Sequence, residues 1–295
     1  ARRPNGTLNV PPAFRDAHAA ASAVLLVPAY PSSHLARCRI EIARIAGDHR
    51  VRLRTIEYTY WYDSLITEAI EGADGLFIIP STEELPAHLL AAFMGPTNRV
   101  VFFDADMSDH GIPSIRLYAE SHFRSLFDHL WETGRRRIDC LNTQGHNDEI
   151  LQRLASWRGW LDTKGAQGEP LDHPVEPFED PIESSYRVMH ELAADASALP
   201  EAIVTTTYPA AVGAVRALRD RGIEVGTDIA VCSMNVEFPG QYASPSITGL
   251  EFPDLEPLLT GVFDWFKTES GEWPGQRLIV PAEPVLFIGE STRPA

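Results

Sequence analysis

The stretch AIVTTTYPAAVGAVRALRDRGIEVGTDIAVCSMN, residues 202–235, contains two short apolar runs on either side of one amphipathic helix. The first run, Ala202–Thr205, leads into the polar residues Thr206–Tyr208, and the second, Ile229–Cys232, leads towards Asn235. Short runs of this kind, separated by a helix, are typical of neighbouring strands in a buried parallel sheet. Because the carboxyl ends of such strands meet at one edge, we expect these polar ends to lie side by side and to bind a small polar ligand.

The same alternation of short apolar strands and amphipathic helices runs along most of the chain. It predicts strands at Ala23–Val27, Val51–Ile56, Gly75–Ile79, Arg99–Phe103 and Arg137–Leu141, and helices at Ser33–Ala46, Pro86–Phe93, Glu120–Thr133, Asp148–Lys164 and Ser184–Asp195, with a further helix from about Tyr62. Two such series in succession predict an α/β fold with two doubly wound parallel-sheet lobes joined by crossover strands.

The predicted domain boundaries follow from this division. At 295 residues the chain is longer than a single core usually becomes. Gly134, after the last helix of the first series, has the position of a left-handed helix cap. We expect a hinge or linker at 1–20, an N-terminal lobe at 21–133 plus 251–275, and a C-terminal lobe at 134–250 plus 276–295. A cleft between the lobes is the expected ligand site.

Composition narrows the class of protein. The formal net charge of −16 means that most of the surface repels phosphate, so the chain by itself should not bind nucleic acid. No apolar run reaches the roughly 18–20 residues that span a bilayer, and the first residues lack the apolar stretch of a secretory signal. Three widely spaced cysteines fit a reducing compartment. We therefore expect a cytoplasmic protein.

Signatures of catalysis or of cofactor binding are absent from the sequence. There is no G-x-G-x-x-G after the first strand, no P-loop, no G-x-S-x-G and no H-E-x-x-H, so we predict no cofactor and no enzyme activity. Asp104, Asp106 and His110 cluster after the fourth strand, where such residues are common in turns. They leave two alternatives open: a metal site, and an enzyme that uses the aspartate pair for acid–base chemistry.

Seven segments, in this order and spacing, resemble the effector-binding core of the LacI/GalR family of bacterial transcription regulators. They are GLFIIPS at 75–81, GRRRI at 134–138, RLASW at 153–157, AVGAVRAL at 211–218, RGIEVGTDIAV at 221–231, SPSIT at 244–248 and GEST at 289–292. This core is shared with periplasmic sugar-binding proteins. The resemblance covers nearly the whole chain and implies the two-lobed fold described above.

The residues Arg3-Pro4-Asn5 resemble the segment that follows the family's helix-turn-helix headpiece and opens its hinge; a plain polar tail is the alternative. The resemblance implies a repressor-type regulator that binds a sugar-like or other small polar effector. It also implies a homodimer, and operator DNA bound through a headpiece absent from this chain. The competing interpretation is an extracytoplasmic solute-binding protein with the same core and a sugar-like ligand.

Carried over from the family position by position, the candidate effector ligands lie after the strands of both lobes. They are Tyr30, Ser32, Tyr58, Tyr60, Ser81, Asp104, Asp106, Tyr118, Arg153, Trp157, Thr207, Tyr208, Asn235 and Phe252. A guanidinium such as that of Arg153 can bind two hydroxyls or a carboxylate at once, which favours a ligand role; a solvated helix arginine, or one paired with Asp148 or Glu149, is the alternative. For Trp157 and for Tyr58 and Tyr60, packing in the core or on the sheet is the alternative role.

The chain departs from the sugar-binding pattern at three positions. Tyr118 stands where relatives usually carry Asp, Thr207-Tyr208 replaces the usual Asn-Asp pair, and Asn235 replaces another Asp. A carboxylate accepts two hydroxyls at once, which a tyrosine does not. The sequence therefore favours an effector that is less hydroxylated, aromatic or anionic, and it leaves open a pocket that has lost effector binding.

Overall fold

The computed structural model describes residues 21–30, 32–71, 73–95, 98–176 and 179–293. The predicted hinge at 1–20, with Arg3-Pro4-Asn5, lies outside these residues. Within the described part of the chain the strands form two sheets, each flanked by helices, as the sequence predicts.

The first sheet has the strand order β11-β5-β4-β3-β1-β2, and all of its described pairs are parallel. Its strands are β1 (Ala21–Pro28), β2 (Val51–Tyr58), β3 (Gly75–Ile78), β4 (Val100–Phe103), β5 (Ser114–Ile115) and β11 (Leu278–Ile279). The helices that connect or cover them are α1 (Ser33–Asp48), α2 (Ser64–Glu71), α3 (Ala87–Phe93), α4 (Glu120–Glu132) and α8 (Glu256–Phe266).

The second sheet has the order β12-β10-β9-β8-β6-β7 and is parallel except for the edge pair β10–β12. Its strands are β6 (Ile138–Asn142), β7 (Pro170–Asp172), β8 (Ala202–Thr205), β9 (Ala230–Ser233), β10 (Thr248–Leu250) and β12 (Leu286–Phe287). Its helices are α5 (Asp148–Lys164), α6 (Pro181–Leu192) and α7 (Tyr208–Asp220).

The helix ends have local causes. The Asn147 side chain accepts a hydrogen bond from the Ile150 amide at 2.9 Å and caps the start of α5, while Gly165, with φ of 65°, ends the helix in the left-handed conformation. Ser32 caps α1 in the same way through the Leu35 amide. These caps fix where each helix begins beside the carboxyl end of the preceding strand.

Aromatic and aliphatic side chains on the inner faces of the sheets form the core. Under the first sheet, Phe77 contacts the rings of Phe263 and Phe266 of α8 edge to face, with centroids 5.4 and 5.1 Å apart. Gly75 is needed here because a Cβ would overlap the Phe266 ring. The helix α8 is thereby held against the first sheet, although it follows the whole second series in the chain.

The chain departs from the predicted boundaries in its last segment. The strand Leu278–Ile279 pairs in parallel with β5 of the first sheet, whereas the range 276–295 was predicted to belong to the C-terminal lobe. The physical reason is an open edge: the Ser114 amide donates to Arg277 O and the Arg116 amide to Ile279 O, which satisfies the edge of β5. Only then does β12 join the second sheet.

Candidate functional site

A cavity of about 440 Å³ opens at the carboxyl ends of both sheets. Its walls come from the loops after β1, β3 and β4 of the first lobe and from those after β6, β7, β8 and β9 of the second. Six of the predicted site residues line it: Tyr30, Ser32, Asp104, Arg153, Thr207 and Asn235. This position is the one expected for a ligand of doubly wound sheets.

Arg153 ties together the polar ends of the two strands that bracket α7. Its Nη1 donates to Thr206 O at 2.6 Å and to Asn235 Oδ1 at 3.3 Å, and the same Oδ1 accepts from the Tyr208 amide at 3.3 Å. The ends of β8 and β9 therefore lie side by side, as predicted, with a guanidinium between them.

The surroundings of Arg153 are those of a buried group. Arg153 is 5% exposed, and its guanidinium carbon lies 5.6 Å from the ring centroid of Tyr118 and 5.8 Å from that of Phe123. Its Nε is buried and has no hydrogen-bond partner among the described residues. The alternative of a solvated surface arginine is therefore wrong.

Asp104 forms a close pair with His34, a residue that was not among the candidates predicted from the sequence. Their Oδ2 and Nε2 atoms are 2.8 Å apart, and the Cys38 Sγ lies 3.7 Å from the same ring nitrogen. Asp104 has φ of 60°, in the left-handed region that few residues other than Gly adopt, and its carboxylate contacts α1 through His34. Its Oδ1 is buried without a partner in the described structure.

The pKa values of this pair move apart. Burial lowers the pKa of His34, but Cys38 and the Asp104 carboxylate raise it, and the net result lies well above the usual value. Since burial also raises the pKa of the Cys38 thiol, the thiol is neutral at pH 7 and the charge that matters is that of Asp104. Burial raises the pKa of Asp104, but His34, Arg153 and Arg116 lower it overall. The pair is therefore an ion pair at neutral pH.

A second ion pair connects the lobes. Arg116, just after β5, places its Nε 2.5 Å from Oε1 of Glu149 in the first turn of α5, and its Nη1 lies 3.7 Å from Asp106. Burial and the charge of Asp104 raise the pKa of Glu149, against the opposing effect of Arg116 and Arg153. Glu149 thus pairs with Arg116 and is not the partner of Arg153.

Glu237 provides another contact between the lobes. The Ser33 hydroxyl at the start of α1 donates to the Glu237 carboxylate, and both residues line the cavity. Burial raises the pKa of Glu237, although the charge of His34 opposes this. A half-buried carboxylate therefore stands in the wall of the cleft.

Four predicted ligands lie in the packed interior and outside the cavity lining. Tyr58 is fully buried and donates to Ile79 O at 2.9 Å, and Trp157 is 1% exposed and donates to Ile138 O at 3.1 Å. Tyr118 lies beneath the Arg153 guanidinium. The ring of Tyr208 packs so closely on Gly240 that a Cβ there would overlap it. For Tyr58 and Trp157 the core alternative describes their place in the structure.

The other four lie around the cavity without lining it. The Ser81 hydroxyl accepts from the Glu83 amide at 3.3 Å, and Asp106 accepts from the Ser108 hydroxyl at 2.6 Å. Tyr60 stacks on Tyr62 with centroids 5.1 Å apart. Phe252 contacts the His34 ring edge-on at 5.9 Å.

Sequence reasoning missed the lining residues His34, Gln144, Glu149 and Glu237. Two of them carried a usable signal: Glu149 precedes Arg153 by one helical turn, and Glu237 follows Asn235 by two residues. His34 had none, because its role depends on Asp104, 70 residues further along the chain.

The structure does not bring the side chains of Asp104, Asp106 and His110 together. His110 is exposed in a short 3-10 turn, Asp106 bonds to Ser108, and Asp104 pairs with His34 instead. Nowhere in the described ranges do three His, Cys, Asp or Glu side chains come close enough together to hold a metal ion.

Residues 127–255 match a family model described as a periplasmic binding protein-like domain. The chain is 27% identical over 224 residues to the HTH-type transcriptional repressor MelR of Bacillus subtilis (strain 168); the match covers 74% of this chain and 63% of MelR. The chain thus spans less than two thirds of that relative.

Two solved structures share the fold. The dimeric lac repressor with an 11-residue C-terminal deletion superposes with a TM-score of 0.74 at 18% identity, covering 92% of this chain and 99% of that one. A LacI family transcriptional regulator from Arthrobacter sp. FB24, in complex with lactose, gives 0.74 at 16% identity, covering 92% and 100%.

The fold, the cavity and these matches define the class as a periplasmic-binding-protein-like effector-binding core. The resemblance to the effector-binding core of the LacI/GalR family that the sequence indicated is confirmed by these matches.

Proposed function

We propose that this chain is the effector-binding and dimerisation core of a ligand-responsive, DNA-binding transcription regulator. The observation that carries the proposal is the 440 Å³ cavity between the two lobes, in which the buried Arg153 stands at the ends of β8 and β9. The similarity to a repressor, MelR, supports a regulator rather than an enzyme.

The effector is a small polar molecule such as a sugar or a sugar derivative. The lactose complex of a structural neighbour supports this class of ligand. Arg153, Thr207 and Asn235 supply donors and acceptors from the second lobe, while Asp104 and Ser32 supply them from the first. A hydroxylated ligand between them replaces water and pairs with groups that are already held in place by the fold.

Regulation follows from contacts that join the lobes. Arg116–Glu149 and Ser33–Glu237 cross the cleft beside the cavity, so a ligand there favours one arrangement of the lobes over another. An effector shifts such an equilibrium only by the difference between its affinities for the two arrangements. In a symmetric dimer this shift changes the spacing of two DNA-binding headpieces.

We assign operator binding to a headpiece outside this acidic core, because a net charge of −16 opposes contact with phosphates. The whole regulator acts in the cytoplasm. No helix in the described part of the chain is long and apolar enough to cross a membrane.

The effector-binding role is tested by calorimetry with a panel of mono- and disaccharides that includes lactose. For a sugar that binds, Arg153→Ala should weaken affinity by about 10- to 100-fold, because a charge-assisted hydrogen bond contributes ~1.5–3 kcal/mol. Arg158→Ala, an exposed position of the same helix, is the matched control and should leave affinity unchanged. Equal affinity for Arg153→Ala and wild type would remove Arg153 from the site.

A solute-binding protein is the second candidate, and the description of the matching family model favours it. Reading the genomic sequence upstream of the Ala1 codon separates the two. An in-frame segment for a basic helix-turn-helix supports the regulator. A signal segment with a basic start and an apolar centre supports transport instead.

A further inference from the structure

The cavity is lined by more negative than positive side chains. Among the described lining residues, the cations are His34 and Arg153, and the carboxylates are Asp104, Glu149, Glu176, Glu179, Asp180 and Glu237. Charges of one sign in a cleft with low-dielectric walls concentrate ligands of the opposite sign. An anionic effector, one of the options that the sequence left open, is therefore disfavoured at this site.

Two of the carboxylates in the cavity lining already have a positively charged partner. His34 pairs with Asp104 at 2.8 Å, and Glu149 pairs with Arg116. Glu237 differs: in the described part of the chain its carboxylate bonds to the Ser33 hydroxyl, and no Arg, Lys or His nitrogen lies within 4 Å of it. Burial raises the pKa of this carboxyl group, and the opposing charge of His34 does not reverse the shift.

A ligand that fills the cavity removes the remaining water from Glu237. A carboxylate that loses water without gaining a counter-charge or new donors is strongly destabilised. A neutral ligand can replace that water only with hydroxyl donors. A ligand ammonium instead forms a charge-assisted hydrogen bond with the Glu237 carboxylate. Arg153 makes a different demand on the ligand, because its buried Nε has no partner among the described residues and a guanidinium offers only donors.

We propose that the effector is a cationic, hydroxylated molecule, an amino sugar or aminated polyol, whose ammonium group binds Glu237 while an oxygen accepts from Arg153. This inference rests on the proposed function of the same cleft. It narrows the ligand from polar molecules in general to those with a protonated amine.

The experiment uses matched ligands that differ in one substituent. Calorimetry at pH 7 compares glucose, glucosamine, N-acetylglucosamine and glucuronate, and the corresponding galactose series, on the wild-type chain. We expect each amine that binds to do so about 10-fold or more tightly than its parent sugar, as a charge-assisted bond predicts. The N-acetyl compounds, which are similar in shape but uncharged, should lose this advantage.

Glu237→Gln separates charge from shape. It should reduce the ratio of amine to parent affinity to about one, while Glu191→Gln, which removes a charge from an exposed position of α6, should leave the ratio as in wild type. An amine preference that persists in Glu237→Gln would overturn the role of Glu237.

The remaining outcomes separate this inference from the proposed function. Tighter binding of the parent sugars or of the uronates overturns the cationic effector and leaves a sugar-responsive core intact. Absence of binding for every member of both series contradicts the sugar-type effector itself, and the amino-sugar inference fails with it.

Discussion

Arg153 has two roles that are difficult to separate at the scale of one residue. The guanidinium holds the ends of β8 and β9 together through Thr206 O and Asn235, and the same group faces the cavity. A substitution that removes it should therefore affect stability as well as ligand binding.

We expect Arg153→Ala to lower the free energy of unfolding by about 1.5–3 kcal/mol, the contribution of hydrogen bonds from a charged donor. Arg153→Lys keeps the positive charge and a hydrogen-bond donor group and should cost less. Urea denaturation measures both, with Arg158→Ala as a control that loses only a cation–π contact with Trp157, worth about 1 kcal/mol or less. If Arg153→Ala lowers the free energy of unfolding no more than the control does, the hydrogen bonds from Arg153 to the ends of β8 and β9 contribute nothing to stability.

The His34–Asp104 pair predicts how stability depends on pH. The pKa of His34 is raised on folding, so the folded state binds more protons than the unfolded state above the ordinary value of about 6.5. The contribution of His34 is thus complete below that value and is lost as the pH rises through the folded-state pKa. For Asp104, whose pKa is lowered, the contribution is complete above about 4 and is lost as the pH falls.

Urea titrations of wild type and His34→Gln at pH 6 and at pH 8.5 test this dependence. Wild type should be the more stable of the two by a margin that shrinks at the higher pH. Glu237 and Cys38 face the same imidazole, so Glu237→Gln is measured in parallel to separate their effects. A margin that is independent of pH would show that His34 does not titrate with folding.

The positions of candidate site residues could be predicted from the sequence where the strand pattern alone decides them. Asp104, Thr207 and Asn235 follow strand ends and line the cavity, because a parallel sheet brings its carboxyl ends to one edge. Tyr58 and Trp157 were misplaced, because the sequence does not show which face of an element a large aromatic side chain covers.

At the scale of elements, α6 and α7 pack unusually closely. A Cβ at Gly213 in α7 would overlap the Ser185 hydroxyl and Ile182 O of α6, whereas a Cβ at Gly159 in α5 would meet no atom within 4 Å. Both positions are in helix interiors, so they form a matched pair.

Gly213→Ala should lower the unfolding free energy by about 1–3 kcal/mol, as overpacking typically does. Gly159→Ala should raise it by about 0.5–1 kcal/mol, because alanine is the better helix former. Thermal or urea denaturation of the two variants gives the signs directly. Stabilisation by both would indicate that α6 and α7 separate at no cost.

The bounds of elements could be predicted where the chain carries its own caps. The predicted α5 agrees with the structure at both ends, since Asn147 and Gly165 are local signals. The strands β10, β11 and β12 have two or three residues each, and their pairing depends on partners distant in the chain. No local pattern identifies such strands.

At the scale of the whole molecule, the lobes are interleaved along the chain. After β10 the chain returns to the first lobe for α8 and β11 and then crosses again to β12. Ion pairs next to these crossings, above all Arg116–Glu149, therefore contribute to how the two lobes are held together.

Substitution of Arg116 should show how much the Arg116–Glu149 ion pair contributes to the free energy of unfolding. Arg116→Ala leaves Glu149, which is 6% exposed, as a buried carboxylate without its partner, and such losses cost about 3–5 kcal/mol. Glu149→Gln relieves the uncompensated charge, so the double variant should be more stable than Arg116→Ala alone. The pKa of Glu149 is already raised by burial and should rise further without Arg116, so the folded state then binds an extra proton at acidic pH. The loss in Arg116→Ala should consequently be smaller at pH 5 than at pH 8.

Urea denaturation of wild type, both single variants and the double variant at the two pH values measures the coupling between Arg116 and Glu149. If the losses of the single variants add up to that of the double variant at both pH values, the two side chains act independently.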